Sequence, residues 1–289
     1  MKIAIGLCGL LRCEKQSINN LKKIANFQDN TIDIFICSDK KTYWTTYMNI
    51  NNNDGQEMRR SLDEEYLYSI YGNNLKDYLL INDYNEMNEY INSNLYPVEW
   101  IYKKNKCIEL IVNYENKNNF KYDFVLLTRS DILFLKNINF KSFDSNKFYI
   151  EPHSQDYKLF DKNNISSNST IDDLIKNGFN LFGYGHPNWY ISNSTNLYKF
   201  TNKLIKLILY NWNHRIAPIH IFTFLIMAVY LENIDIIYNK DITPISILHC
   251  YKNINSDRSY KALGIPEEYS SSSDLLNKLK YSIDNDIIL

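Results

Sequence analysis

The sequence predicts an α/β protein built around a mostly parallel sheet with helices on its faces. Apolar runs of strand length alternate with segments of helical periodicity along the chain, as in sheets whose strands are joined by helical crossovers. The first of these runs, residues 3–8, reads as a strand that is buried on both faces. No internal repeat and no linker divides the chain, so we expect one main domain at residues 1–250.

The predicted strands are short apolar runs bounded by polar residues. Residues 122–128 form the clearest central strand, because Phe124 to Leu127 are all apolar. The second strand ends in the polar pair Ser38 and Asp39. In chain order, the predicted strands are residues 3–8, 32–37, 78–81, 122–128, 148–150, 189–192, 234–238 and 245–248.

The predicted helices show apolar residues at three- and four-residue spacing. Ile18, Leu21 and Ile24 illustrate this spacing in the first helix. Pro97 and Pro218 stand at the first positions of two others, where proline is well tolerated. In chain order, the predicted helices are residues 14–27, 54–71, 97–114, 195–209, 218–231 and an amphipathic segment from Asp274.

Two further segments complete the predicted organisation. Residues 152–180 are polar and rich in Asn and Ser, which is typical of a functional loop or a mobile lid in a compact domain. Residues 251–289 are predicted to be a C-terminal helical extension. Its final helix either docks on its own domain or on a second copy in a homodimer, and both alternatives stay open.

Composition argues against several classes of protein. The net charge is −1 and lysines are spread along the chain, so we expect no nucleic-acid partner. The five cysteines form no CxxC pair and predict reduced thiols in a reducing compartment. The apolar stretch 216–231 is short and contains Pro218 and His220, so no transmembrane segment is expected. The N-terminus lacks a signal-peptide cleavage site, and we expect a cytoplasmic location.

Polar residues follow three of the predicted strands, at the edge where open parallel sheets bind ligands. Gly9, in the turn after the first strand, lets the backbone approach a ligand, and Arg12 suits a phosphate. Ser38 and Asp39 follow the second strand, where a short acceptor commonly holds a nucleotide's base or ribose. Read singly, these residues equally suit a tight turn or a solvated strand end.

Arg129, Ser130 and Asp131 follow the central strand and form the third candidate. A carboxylate here is well placed to hold Mg²⁺ or Mn²⁺ bridging two phosphates. Such a metal acts as a Lewis acid on a departing diphosphate. The alternative is a structural ion pair between Arg129 and Asp131.

Two segments resemble GT-A-like glycosyltransferases of bacterial and large-virus surface-glycan pathways. The opening Lys2 to Ile5 with Gly9 and Arg12 is similar to the family's first strand and turn. Residues 32–36 are similar to its second strand, and residues 122–132 are its most specific match. In this match Arg129 stands where the first Asp of the family's DxD motif would stand.

The resemblance implies a GT-A-like, Rossmann-type fold and transfer of a sugar to a glycan or glycoconjugate acceptor. The donor would be a nucleotide sugar linked to UDP, GDP or dTDP. Mn²⁺ or Mg²⁺ would be held through Asp131, with His249 as the late ligand that many such enzymes add. Arg129 and Ser130 would lie at the donor phosphates.

The chain departs from the family at expected carboxylates. Asn188 replaces an acidic residue, and Pro218 is followed by Ile219 and His220 instead of Glu. The general base that an inverting enzyme needs is therefore left open. The candidates for the base are Asp172, Asp173, His186 and His220, and the aromatic residues proposed to line an acceptor groove are Tyr184, Trp189 and Trp212.

Three functions compete at this point. The leading one is a metal-dependent glycosyltransferase. The second is a degenerate, non-catalytic relative that binds a nucleotide or glycan, which the missing carboxylates favour. The third, a nucleotidyltransferase or sulfotransferase, would favour more phosphate-binding Lys and Gly in the first turn than this chain has.

Overall fold

The computed structural model describes residues 1–11, 14–44, 58–82, 98–134, 137–150, 189–214, 232, 234–238, 242 and 244–246. Eleven strands lie in this part of the chain. They are β1 (Lys2–Cys8), β2 (Thr31–Asp39), β3 (Lys41–Trp44), β4 (Met58–Ser61), β5 (Leu75–Ile81), β6 (Phe124–Thr128), β7 (Ile132–Phe134), β8 (Phe148–Ile150), β9 (Trp189–Ser192), β10 (Ile236–Tyr238) and β11 (Pro244–Ser246). Four α-helices accompany them: α1 (Glu14–Ile24), α2 (Glu64–Tyr71), α3 (Val98–Asn118) and α4 (Ser194–His214).

Seven strands form the main sheet, in the order β10-β8-β9-β6-β1-β2-β5. The pairs β1/β2, β1/β6, β2/β5 and β8/β10 are parallel. Only β9 runs against the other strands of this sheet, pairing antiparallel with β6 and β8. The α/β class and the mostly parallel sheet predicted from the sequence are confirmed.

Helices cover both faces of this sheet. Ile3, Ile5 and Leu7 of β1 point into a core that also contains Ile18, Leu21 and Ile24 of α1 and residues of α2. On the other face, the backbone of Gly6 lies against Cys107 and Ile111 of α3. Helix α3 in turn packs on α4, where the Asn105 side chain donates hydrogen bonds to Thr201 and Asn202. Each face of the buried strands therefore has its own apolar layer.

The order of the strands defines a topological switch point between β1 and β6. From β1 the chain proceeds outward through β2 to β5 and then returns, through α3, to place β6 on the other side of β1. Open α/β sheets bind ligands in the crevice outside the carboxyl ends of strands at such a point. The residues that follow β1, β2 and β6 consequently lie where a ligand is expected to bind.

Some predicted elements differ from those in the structure. Residues 54–71 were expected to be one helix, but Met58–Ser61 form β4, antiparallel to β3, and α2 begins only at Glu64. Asp63 caps that helix by accepting the N–H of Tyr66 at 2.8 Å, which explains where it begins. Strand β7, paired with β11, was not predicted.

The remaining predictions about elements fall outside the described residues. They concern the loop 152–180, the helix 218–231 and the C-terminal extension 251–289. Within the described residues, none of the helices has the length and apolar character needed to cross a membrane.

Candidate functional site

The turn after β1 is fastened to β2 and to the segment after β6. Gly9 donates its N–H to the carbonyl oxygen of Cys37 at 3.0 Å. The N–H of Leu11 donates to Ser38 Oγ at 3.2 Å, and Ser130 Oγ donates to the carbonyl oxygen of Leu10 at 3.1 Å. Three segments singled out separately in the sequence are thus joined by hydrogen bonds at the switch point.

Gly9 gives this turn its shape. Its φ is +115°, a conformation that residues with a Cβ rarely adopt. Among the described residues, a Cβ built at this position would meet no atom within 4 Å. The backbone at Gly9 is therefore open on the side where a side chain would project, as the predicted close approach of a ligand requires.

Ser38 and Asp39 differ in how they are used. Ser38 is fully buried, and its hydroxyl accepts from Leu11 while donating to the carbonyl oxygen of Asp39 at 3.1 Å. It holds the β1 turn in place, and contact with a nucleotide stays a prediction for this residue. The Asp39 carboxylate is about one-fifth exposed, at 19%, and accepts from Lys103 Nζ at 2.6 Å.

Lys103 also belongs to the candidate site, although it was not predicted from the sequence. Its side chain is only 4% exposed, and it reaches from α3 to the end of β2. A signal was present, because Lys103 precedes the buried Cys107 and Ile111 by four and eight residues on one helical stripe. A lysine in such a stripe needs a buried partner, since an unpaired buried ammonium group is very costly.

Arg129 and Asp131 form a bidentate ion pair after β6. Arg129 Nε donates to Asp131 Oδ1 at 2.8 Å, and Nη2 donates to Oδ2 at 2.5 Å. The Asp131 side chain is 3% exposed, whereas that of Arg129 is 37% exposed. Of the two alternatives left open by the sequence, the described geometry matches the ion pair.

Asp131, the predicted metal ligand within the described residues, is engaged by Arg129. Both carboxylate oxygens of Asp131 accept from the same guanidinium, while these metals need carboxylate oxygens at about 2.0–2.1 Å. No cluster of three His, Cys, Asp or Glu side chains suited to a metal occurs in the part of the chain that the structure describes. His249, the second predicted ligand, lies outside that part.

Most of the other predicted site residues lie outside the described part of the chain. Trp189 is fully buried in the core, so its predicted place in an acceptor groove is wrong. Helix α4 contains Trp212, whose side chain is not described. The predicted residues outside the described part are Arg12, Asp172, Asp173, Tyr184, His186, His220 and His249.

Three buried thiols lie behind the candidate site. Cys8, Cys37 and Cys107 are all free and buried. Burial raises the pKa of the Cys37 thiol, and the nearby Cys8 raises it further. Burial also raises the pKa of Cys107, which interacts with Cys8. Cys37 and Cys107 therefore stay protonated at neutral pH, which is the form suited to a packed core rather than to nucleophilic chemistry.

Comparison with known proteins adds one match. The model of a family described as Domain of unknown function (DUF7796) matches residues 100–172. These residues include most of α3, strand β6 and the Arg129–Asp131 pair, but less than half of the chain. No curated protein matches the chain significantly. This match covers the central segment of the candidate site, and the description of the family states no activity.

Proposed function

We propose that this chain is a GT-A-like glycosyltransferase, which transfers a sugar from a nucleotide-sugar donor to a glycan or glycoconjugate acceptor in the cytoplasm. One observation carries the proposal: the turns after β1, β2 and β6 meet at the switch point through the hydrogen bonds of Leu11 and Ser130. Nucleotides bind at this place in open α/β sheets.

The chemistry at this edge suits a nucleoside diphosphate. The open backbone at Gly9 leaves room for phosphate oxygens, and Arg129, whose side chain is 37% exposed, supplies a planar cation. Asp39 offers a carboxylate of the kind that accepts from ribose hydroxyls, and Lys103 holds it in place. The segment most similar to the glycosyltransferases, residues 122–132, ends at this edge.

Sugar transfer also needs a group that activates the acceptor hydroxyl. We propose Asp172, Asp173, His186 or His220 for this role, because a carboxylate or an imidazole can accept the proton of that hydroxyl. The stereochemical course of the transfer stays open with the identity of this base.

Nucleotide binding is the first test. We expect one of UDP, GDP or dTDP to raise the melting temperature of the wild-type chain. A ligand at about 100 times its Kd adds about 2.7 kcal/mol to the free energy of unfolding, or roughly 5 °C for a chain of this size. Gly9→Ala should reduce this shift, measured against its own ligand-free melting temperature, because the added methyl group occupies the open side of the turn.

Lys141→Gln is a control substitution on the surface away from the proposed site. Lys141 is exposed next to Phe140, whose ring contacts Phe124 at the start of β6, the opposite edge of the sheet. This variant should keep the full shift. If none of the three nucleoside diphosphates stabilises the wild-type chain, the proposed donor site is wrong.

The second candidate function is a non-catalytic module that binds a nucleotide or glycan. The closed Arg129–Asp131 pair favours it, because a carboxylate expected at the reaction centre is engaged. Release of nucleoside diphosphate from the matching nucleotide sugar separates the two functions. Turnover that increases with a glycan acceptor supports the transferase, whereas binding without any release supports the module.

A further inference from the structure

The Arg129–Asp131 pair gives the candidate site a fixed cation. A guanidinium held on two donors by one carboxylate has lost most of its rotational freedom before any ligand binds. Its side chain nevertheless keeps 37% of its surface exposed, while Asp131 behind it keeps 3%. The exposed partner of the pair is thus the cation, and the carboxylate is the buried support.

We propose that Arg129, oriented by Asp131, binds the diphosphate of the donor in place of a divalent metal held through Asp131. This inference rests on the proposed function, since it concerns the same donor site. Asp131 is then a positioning residue that acts through Arg129.

The two residues next to Arg129 in the sequence hold it at the carboxyl end of the sheet, where the donor is proposed to bind. Thr128, the residue before it, pairs with Leu7 in the last part of β1. Ser130, the residue after it, donates to the carbonyl oxygen of Leu10 in the Gly9 turn. Arg129 is therefore fixed on both sides to the segment whose backbone is open at Gly9.

The composition of the site also favours a guanidinium over a metal. A metal at Asp131 would need this buried carboxylate to give up two short hydrogen bonds and to become accessible. A planar guanidinium can instead contact phosphate oxygens while one of its edges remains on the carboxylate. Because the cation is already ordered, less side-chain freedom is lost on binding.

Titration calorimetry with and without metal tests this inference. The ligands are inorganic pyrophosphate and the nucleoside diphosphate that stabilises the wild-type chain. Each is titrated in EDTA and again in excess Mn²⁺. We expect the wild-type affinity for the nucleoside diphosphate to change by less than about threefold between the two conditions. Arg129→Gln should lower it at least tenfold in both, and Lys141→Gln should leave it unchanged.

Two further variants separate positioning from metal binding. Arg129→Lys keeps the charge but loses the bidentate fork, so its affinity should fall between those of the wild-type chain and Arg129→Gln. Asp131→Asn should weaken binding by the same factor in EDTA and in Mn²⁺, because it loosens Arg129. The comparison of wild-type affinities in EDTA and in Mn²⁺ needs no variant, so it tests the inference even if a substitution disturbs folding.

Three results would overturn the inference. The first is a wild-type affinity that rises tenfold or more with Mn²⁺, with Asp131→Asn losing only that gain. The second is an Arg129→Gln variant that binds as the wild-type chain does. The third is that neither pyrophosphate nor any nucleoside diphosphate binds the wild-type chain in either condition, which overturns the proposed function as well.

Discussion

Gly6 shows how closely the strands and helix α3 approach one another in the core behind the site. A Cβ added to Gly6 would collide with Leu127 Cδ2 and lie 2.9 Å from Cys107 Sγ. Both atoms are at the ends of side chains, so the structure can yield only by moving them. Only glycine fits this position of β1 without displacing its neighbours.

Gly6→Ala should therefore lower the free energy of unfolding by about 1–3 kcal/mol, as overpacked cores do. Urea denaturation of purified protein measures this loss. In a Leu127→Val background, which lacks the δ carbons, the same substitution should cost less. Strictly additive effects of the two substitutions would contradict the predicted collision.

Arg129 and Asp131 illustrate what the sequence could and could not predict at the scale of residues. Their position after the central strand was predicted, and both a metal site and an ion pair were compatible with their spacing. The choice depends on a turn in which Ile132 N–H donates to the carbonyl oxygen of Arg129 at 3.3 Å. That turn brings the two side chains together, and residue types alone do not specify it.

Helix α3 is tied to its neighbours through one buried carboxylate. Glu115 is fully buried and accepts from the Tyr122 N–H at 2.9 Å, from Ser194 Oγ at 2.8 Å and from Lys121 Nζ at 2.7 Å. The first bond fixes the entry to β6, and the second fixes the first residue of α4. One side chain thereby sets the position of three elements.

Glu115→Ala should destabilise the fold by at least about 2 kcal/mol, because each buried donor left without a partner costs roughly 1–3 kcal/mol. Lys121→Ala is the matched control. The Lys121 side chain is 56% exposed, so its loss should cost less than about 1 kcal/mol. Equal losses for the two variants in urea denaturation would show that the ion pair, rather than the buried donors, matters.

At the scale of elements, prediction succeeded where burial determines the pattern. Strands β1, β2 and β6 are nearly continuous apolar runs, and their predicted bounds agree closely with the structure. Strand β4 was missed because Met58–Ser61 has no such pattern and depends on pairing with β3. A short strand of this kind is specified by its partner and not by its own residues.

At the scale of the whole molecule, folding keeps several buried cysteine thiols and tyrosine phenols protonated. Burial raises the pKa values of Cys37, Cys107 and Tyr71. Burial raises that of Tyr122 too, as does its hydrogen bond to Asp33, at 2.7 Å. The unfolded chain ionises these thiols and phenols near their ordinary values of 9.0 and 10.0, whereas the folded chain does not.

Stability should consequently be complete below about pH 8 and fall as the pH rises above about 9, since the unfolded state then binds fewer protons than the folded state. Urea denaturation between pH 7 and 11, with a reducing agent present, measures this loss. Tyr122→Phe removes one of the titrating groups, so its stability should fall less steeply above pH 10. A free energy of unfolding that stays constant to pH 11 would contradict this account.

The strand order of the whole sheet was beyond prediction from residue patterns. Local apolar runs predicted which segments are strands, but not that β9 would lie between β6 and β8. That arrangement depends on long-range contacts, such as Ser192 Oγ donating to the carbonyl oxygen of Lys147 at 2.8 Å. The type of one residue in such a contact does not indicate which distant residue is its partner.

The reversed direction of β9 has a consequence for how such a scaffold can diversify. Ile150 at the end of β8 lies opposite Tyr190, and Trp189 at the start of β9 lies opposite Thr128. The chain thus leaves β8 and enters β9 at the same edge, beside Gly9 and Arg129. A connection between antiparallel strands does not have to cross the sheet, so it has no such minimum length as a connection between parallel strands has. Insertions or deletions between these two strands would therefore change the surface beside the sheet without shifting the register of the strands themselves.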